Sequence, residues 1–399
     1  MKRAIIRIGN VADIGRGSSP RPITDKKYFE NGEIPWIKIA DATASGKYIY
    51  KTKQYVNDLG ASYSRKMKPG ALILSASGSL GIPHFLGVEG CIHDGWIYMD
   101  NIHDIDKQYL YYLLSTMRPY FDNLSYGAAI QNINTSILSK TKIEVPSIQS
   151  QEKIGLMLSA YDNLIENNNK RIKLLEQMAE NLYKEWFVRF RFPGCENTKF
   201  VDGIPSDWQI LRMSDFCYVT DGTHDSPKPI NDGGVPLVTG KCIKNGFIDF
   251  NEPYNISYQD HESISKRSGL QTGDILFSNI GTVGTTCLVN YDREFSVKNV
   301  IIFKPGNIKV SNYLYSWLNS DSIQAIFTTQ TNGASQQFVG LNFMRRFKIL
   351  VPNENVLALY SDRIKPIRTE IVKLNDINEN LTKQRDMLLP RLMSGKLEV

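Results

Sequence analysis

The chain has 399 residues, enough for two or more domains that each bury a core of their own. With 42% hydrophobic and 22% charged residues the composition is that of a folded protein, and no apolar run approaches the length that spans a bilayer. A net charge of +6 and a pI near 8.8 suit a polyanionic partner without identifying one, while five scattered cysteines lacking any C-x-x-C argue against a disulfide framework or a zinc ribbon.

The start, MKRAIIRIGN, turns polar too early for a signal peptide, so a cytoplasmic location is expected. Residues 1–148 alternate short runs rich in Ile, Val, Tyr and Phe, such as ALILSAS, with Gly, Pro, Asn and Asp. That is the pattern of strands and turns, with one amphipathic helix expected near DIDKQYLYYLLSTMRPYF (104–121). From Gln151 the period changes. Ile154, Leu158, Tyr161, Ile165, Asn168, Ile172, Leu175, Ala179, Leu182 and Trp186 alternate at four and three, a heptad seam with one polar interruption.

The whole order then returns. YGAAIQNINTSILSKTKIEVP (126–146) is answered by NGASQQFVGLNFMRRFKILVP (332–352), NGEIPWI by DGGVPLV, PGALILSASGSLG by TGDILFSNIGTVG, and YLYYLLS by YLYSWLN. The chain is therefore a tandem duplication, and the second unit carries its own seam: Tyr360, Ile364, Ile367, Ile371, Leu374, Asn378, Leu381, Arg385 and Leu388. The boundaries expected are 1–148, 149–193, 194–353 and 354–399, two compact α+β domains each trailed by a helical region.

Roughly thirty-three residues of helix make a rod of about 50 Å, and its apolar stripe needs a partner. Connectivity favours an antiparallel pairing of the two rods within the chain, with a domain toward either end and a pseudo-twofold axis near Lys170. That register pairs Asn168 with Asn378, Ile172 with Leu374, Ile165 with Leu381 and Leu158 with Leu388, and it includes Leu175 and Ile371 in the seam. A facing polar pair penalises slipped registers. Pro366 is expected to mark a kink or the true start of the second helix.

Catalytic motifs are scarce. No G-x-x-x-x-G-K-[ST] occurs, and GGVPLVTGKC has the wrong glycine spacing with Cys242 where Ser or Thr would hold magnesium. NEPY (251–254) reads as a turn, and the His-Asp dipeptides at 93, 103 and 224 read as loops that cap turns rather than as metal ligands. No metal site and no catalytic residue is expected.

Three segments carry a family resemblance. YDNLIENNNKRIKLLEQMAENLYKEWFVRFRFPG (161–194) and LTKQRDMLLPRLMSGKLEV (381–399) resemble the two conserved regions of the specificity subunits of type I restriction-modification systems, and GIPSDWQILRMSDF (203–216) resembles the start of their target recognition domains. The resemblance covers essentially the whole chain in the family's order. It implies an α+β fold with two pseudo-symmetric α/β-type target recognition domains separated by a pair of long antiparallel coiled-coil helices. It also implies no catalytic activity in this chain. Each domain would read one half of a bipartite site in double-stranded DNA, and the helices would serve as spacer ruler and docking surface for two modification (methyltransferase) subunits, joined for cleavage by restriction (translocase/nuclease) subunits. S-adenosylmethionine, ATP and Mg2+ would belong to those partners, with no cofactor in this chain. The first domain lacks the Pro-x-x-Trp prelude that the second has at Pro205–Trp208, so a short first strand is expected.

Base readout needs Arg or Lys toward guanine and Asn or Gln toward adenine. In the first domain the candidates are Arg16, Ser18, Ser19, Arg21, Lys38, Asp41, Ser77, Ser79, Gln131, Asn132 and Asn134. In the second they are Thr223, His224, Lys228, Thr239, Lys241, Lys244, Asn279, Thr282, Gln336, Gln337, Asn342, Arg345 and Arg346. The repeats agree at glycines and apolar positions and differ at most of these polar ones, as one scaffold reading two half-sites would. The alternative function is a non-catalytic, two-headed adaptor that binds proteins.

Overall fold

A computed structural model describes residues 3–43, 45–125, 132–331 and 338–399. It divides into two units, residues 1–170 with 374–399 and residues 171–373. Among the described residues no helix is long and apolar enough to cross a membrane.

The first unit holds a five-stranded sheet in the order Asp13–Arg16, Trp96–Asp100, Leu72–Ser75, Pro83–Leu86, Tyr48–Ile49, and a four-stranded sheet in the order Tyr55–Val56, Ile34–Ile37, Gly90–Ile92, Arg65–Met67. The strand Ala4–Arg7 pairs antiparallel with Lys142–Val145. The second unit repeats the plan. Its larger sheet runs Tyr218–Asp221, Ile301–Lys304, Ile275–Phe277, Thr286–Leu288, its smaller one Asn255–Ile256, Val235–Val238, Ser296–Val297, and Gln209–Arg212 pairs with Lys348–Val351. The parallel pairing of Trp36 and Ile37 with Cys91 and Ile92 recurs as Leu237 and Val238 with Ser296 and Val297. The glycine segments seen twice in the sequence make the turn after the central strand, with Gly78, Gly81, Gly281 and Gly284 all at positive φ, where a side chain would be strained.

Three expectations need correction. The helix expected over 104–121 is two helices, Lys107–Thr116 and Arg118–Ser125, because Pro119 cannot donate to the preceding turn and Met117 leaves helical geometry to end the first. The first strand is not short: Ala4–Arg7 and Gln209–Arg212 have four residues each. The second long helix starts not at Pro366 but at Glu354, where Asn353 Oδ1 accepts from the Val356 amide at 2.8 Å, and it runs unbroken to Met393. Pro366 and Asp362 are both exposed, so the carbonyl that loses its amide partner faces water.

The first long helix spans Ile148–Tyr183 and ends in a wide turn over Lys184–Val188 that buries Trp186 and Phe187 in the core of the second unit. Its seam residues Leu158, Ile165, Asn168, Ile172 and Leu175 are buried or half-buried, as are Ile371, Leu374, Asn378, Leu381 and Leu388 on the second helix. Within the first unit the helices run antiparallel, since Asp162 meets Arg385 at 2.6 Å while Asn168, further along, meets Asn378, earlier in its helix. Asn168 Nδ2 donates to Asn378 Oδ1 at 2.9 Å, and Asn378 Nδ2 donates to Asn169 Oδ1 at 2.9 Å. Within the second unit Arg171 pairs with Glu370 at 2.8 Å, and Trp186 and Phe187 pack on Tyr360.

The first domain is fastened to its helices by a buried polar knot. Lys47 Nζ donates to Tyr112 Oη and Ser159 Oγ, each at 3.0 Å, and lies 3.9 Å from Asp162, which also accepts from Tyr112. Burial pushes the Lys47 ammonium down to about 8; Asp162 and Glu166 pull it back and Arg385 adds to the fall.

Asn378→Leu should cost about 1–3 kcal/mol by stranding a buried Asn168 amide, and Asn168→Leu added to it should recover most of that loss, both read by denaturant unfolding. The Lys47 shift has a signed consequence. Between pH 8 and 10.5 the unfolded chain holds a proton on Lys47 that the folded chain has released, so this group makes stability rise with pH across that window. The stability of the parent relative to Lys47→Met should therefore increase by at most about 3 kcal/mol from pH 7.5 to 10.5, measured by unfolding at each pH.

Candidate nucleic-acid interface

In each unit the first strand of the larger sheet ends in a glycine that lets two backbones touch. Gly17 N donates to Trp96 O at 2.9 Å and Ser18 N to Ile92 O at 3.2 Å; a Cβ on Gly17 would sit 2.2 Å from His93 O. Gly222 N donates to Val300 O at 2.9 Å and Thr223 N to Val297 O at 3.0 Å, and a Cβ on Gly222 would sit 2.3 Å from Val297 O. Only glycine permits this approach, so both units present the same loop-on-turn frame.

The side chains on the frame differ. In the first unit Asp94 is the centre: its carbonyl accepts from Arg16 Nε at 2.7 Å, its carboxylate pairs with Arg21, and its amide donates to Ser19 Oγ at 3.2 Å. Arg16 Nη2 also donates to Asn132 Oδ1 at 3.2 Å, and Asn132 bridges Ser77 across the glycine turn. Arg16, Ser19, Arg21, Ser77 and Asn132 are thus brought together. His93 Nδ1 lies 2.9 Å from Asp94 Oδ1 but accepts from the Gly95 amide at 2.8 Å, so it is no ion pair. Burial pushes the His93 pKa down, with Lys38, Arg21 and Arg16 adding to the fall against Asp94.

In the second unit the carboxylate comes from the other side of the frame. Asp221, at the strand end, pairs with Arg267 and lies 2.9 Å from His224 Nε2, while His224 Nδ1 lies 2.8 Å from Asn299 Oδ1. With an oxygen at each ring nitrogen the imidazolium is favoured; the Asn299 bond, then Asp221, raises its pKa. Thr223 is buried beneath and Lys298 donates to Ser226.

Other candidates serve their own domain. Asp41 is buried at 8% exposure and accepts from the Lys38 and Lys53 amides and from Thr52 Oγ1, so it cannot reach a base edge. Asn134 caps the helix Thr135–Lys140 through the Ile137 amide. Arg345 is half-buried, with Nε and Nη2 both donating to Val219 O. Asn279 is buried, its amide donating to Val339 O at 3.3 Å. Thr239 sits over Cys242, and Lys244 is held by Asp249 and Glu252 at 2.9 and 2.8 Å.

Ser18 is half-buried; Lys38 reaches Gln54 at 2.9 Å; Ser79, Lys228, Lys241, Thr282, Asn342 and Arg346 are exposed. Gln131, Gln336 and Gln337 lie outside the described residues. Sequence reasoning passed over Asp94, Asp221, Arg267 and Asn299, whose partners lie up to 78 residues away. The only signal for Asp94 was the His-Asp dipeptide at 93. The one at 103 is indeed local, His103 Nδ1 lying 2.7 Å from Asn101 O. Among the described residues no group of three or more His, Cys, Asp or Glu could hold a metal ion.

The type I restriction modification DNA specificity domain matches this chain twice, over residues 3–177 and 205–382. Similar proteins include the MjaIX specificity subunit of Methanocaldococcus jannaschii, 25% identical over 98% of this chain and 93% of that protein, and the HindI specificity subunit of Haemophilus influenzae, 21% identical over 98% and 90%. Among solved structures, the type I restriction-modification S subunit of M. genitalium superposes with a TM-score of 0.61 at 14% identity, covering 98% of this chain and 96% of that one, a likeness of fold. Two matched copies of the domain spanning most of the sequence, on two units that repeat one sheet plan and one glycine-made frame, place this chain in the type I restriction-modification specificity subunit family.

Proposed function

We propose that this chain is the DNA-reading subunit of a type I restriction-modification complex, each target recognition domain taking one half of a bipartite site. The observation that carries the reading is the repeated frame at Gly17 and Gly222, alike in its two backbone hydrogen bonds and different in side chains. Arg16 and Asn132 offer a guanidinium and an amide side by side, the groups that pair with guanine and adenine edges. Asp94 holds both arginines of the first frame in place, which cuts the ordering cost of binding. In the second frame His224 and Lys298 supply a different donor set.

The long helices, 36 and 40 residues or roughly 54 and 60 Å at the usual rise, set the unread spacer in this proposal. Their outward faces carry exposed Leu156, Leu164, Leu174, Met178 and Met387, which suit docking of two modification subunits. Methyl transfer from S-adenosylmethionine and ATP- and Mg2+-dependent cleavage are assigned to those modification subunits and to restriction subunits, with this chain non-catalytic.

The test is to co-express the chain with its modification subunit and map methylated adenines. Arg16→Ala and Asn132→Ala should relax or abolish one half of a bipartite motif and leave the other intact, each weakening binding of the parent site by about 10- to 100-fold. His224→Ala should act on the opposite half alone. Both halves changing together would sink the assignment of one domain per half, and no sequence-specific binding in the presence of partners would favour a protein-binding adaptor.

A further inference from the structure

The two domain-to-helix junctions occupy equivalent positions, and the helix residue at the centre of each carries the opposite charge, Asp162 in one and Arg368 in the other. YLYYLLS against YLYSWLN equates Tyr111 with Tyr315, Tyr112 with Ser316 and, just upstream, Gln108 with Asn312. The seam offset equates Gly155 with Ser361 and Asp162 with Arg368, and GKYI (46–49) against NGFI (245–248) equates Lys47 with Gly246. The contacts agree with these pairings: a Cβ on Gly155 would lie 3.0 Å from Gln108 Cβ, and Asn312 Nδ2 donates to Ser361 Oγ at 2.9 Å.

In the first unit the cation belongs to the domain and the anion to the helix. The Lys47 side chain, 5% exposed, brings its ammonium to Tyr112, Ser159 and Asp162 among the rings of Phe85, Tyr111 and Tyr112, and Arg385 of the second helix closes on Asp162 from the other side. In the second unit the cation belongs to the helix. Arg368 Nη1 donates to Asn312 Oδ1 at 2.6 Å, Nη2 donates to Asn312 O at 2.9 Å and Ser316 Oγ at 2.8 Å, and the guanidinium lies 4.6 Å from the centre of the Tyr315 ring. The place of the lysine is taken by Gly246, at φ +80, where a Cβ would come within 2.9 Å of the Tyr315 hydroxyl. The seam counterpart of Arg385 is Ala179.

We propose that these opposed arrangements key each recognition domain to its own helix, so that the two domains are not interchangeable between the two positions. A domain carrying Lys47 requires a carboxylate at the helix position; one carrying Gly246 and Asn312 requires a guanidinium. Lys47 set against Arg368 would bury two like charges with no counter-ion. Asp162 set against Gly246 and Ser316 would lose both its lysine and its tyrosine. The inference concerns assembly of the chain and stands independently of what the domains bind.

A double-mutant cycle on the full chain at pH 7 tests it, read by thermal unfolding. Arg385→Ala is present throughout, so that only Lys47 meets the new charge. The effect of Lys47→Met on the unfolding midpoint should be more favourable in the Asp162→Arg chain than in the Asp162 chain by about 4 °C or more. A smaller coupling, or one of opposite sign, overturns the proposal. Should the Asp162→Arg chain be recovered only as aggregate, the cycle is run with Asp162→Asn, where coupling of the same sign is required and its absence overturns the proposal equally.

Discussion

The seam between the long helices is the constraint on which the rest of each unit depends. Each helix is too narrow to bury its own apolar stripe, and in each unit the stripe of one is covered by that of the other. Apolar side chains alone tolerate a shift of one heptad. The Asn168 and Asn378 amides do not, because a shift would leave buried donors without acceptors. Once that register is set in the first unit, the carboxylate of Asp162 is delivered to a fixed place and fastens the adjoining domain; in the second unit the guanidinium of Arg368 does so.

The frames at Gly17 and Gly222 are joined to that fastening through shared cores. Leu72, Leu74 and Ile97 of the larger sheet share one core with Tyr109, Leu113, Ile154 and Leu158, so the strand ending at Arg16 pairs with an element anchored on the first helix. The second unit does the same with Phe277, Phe303, Tyr313, Trp186 and Tyr360. A polar frame on such a base can vary its side chains without disturbing the fold. The two frames have diverged in this way, with Asp94 at the centre of one and Asp221 of the other.

The family likeness and the frame support each other at different scales. The matched domains identify what kind of subunit this is. Of some two dozen polar candidates, Arg16, Ser19, Arg21, Ser77 and Asn132 converge on the frame of one unit, and His224 with Thr223 beneath it on that of the other. Asp41, Asn134 and Arg345 were plausible by type alone, yet each is spent on a turn, a cap or a carbonyl of its own domain.

By itself the sequence determined the duplication, the change of period at the helices and the polar pair in the seam, because these depend on spacing along one chain, which composition and periodicity record directly. It misjudged the helix over 104–121, where Pro119 breaks a pattern that reads as continuous, and the start of the second long helix, where an exposed proline is harmless. The gathering of Arg16, Arg21 and Asn132 around Asp94, and the opposed cations at Lys47 and Arg368, were decided only by tertiary structure. Their partners are brought near by sheet pairing and helix register, and no local preference of a residue encodes which distant carboxylate or carbonyl it will meet.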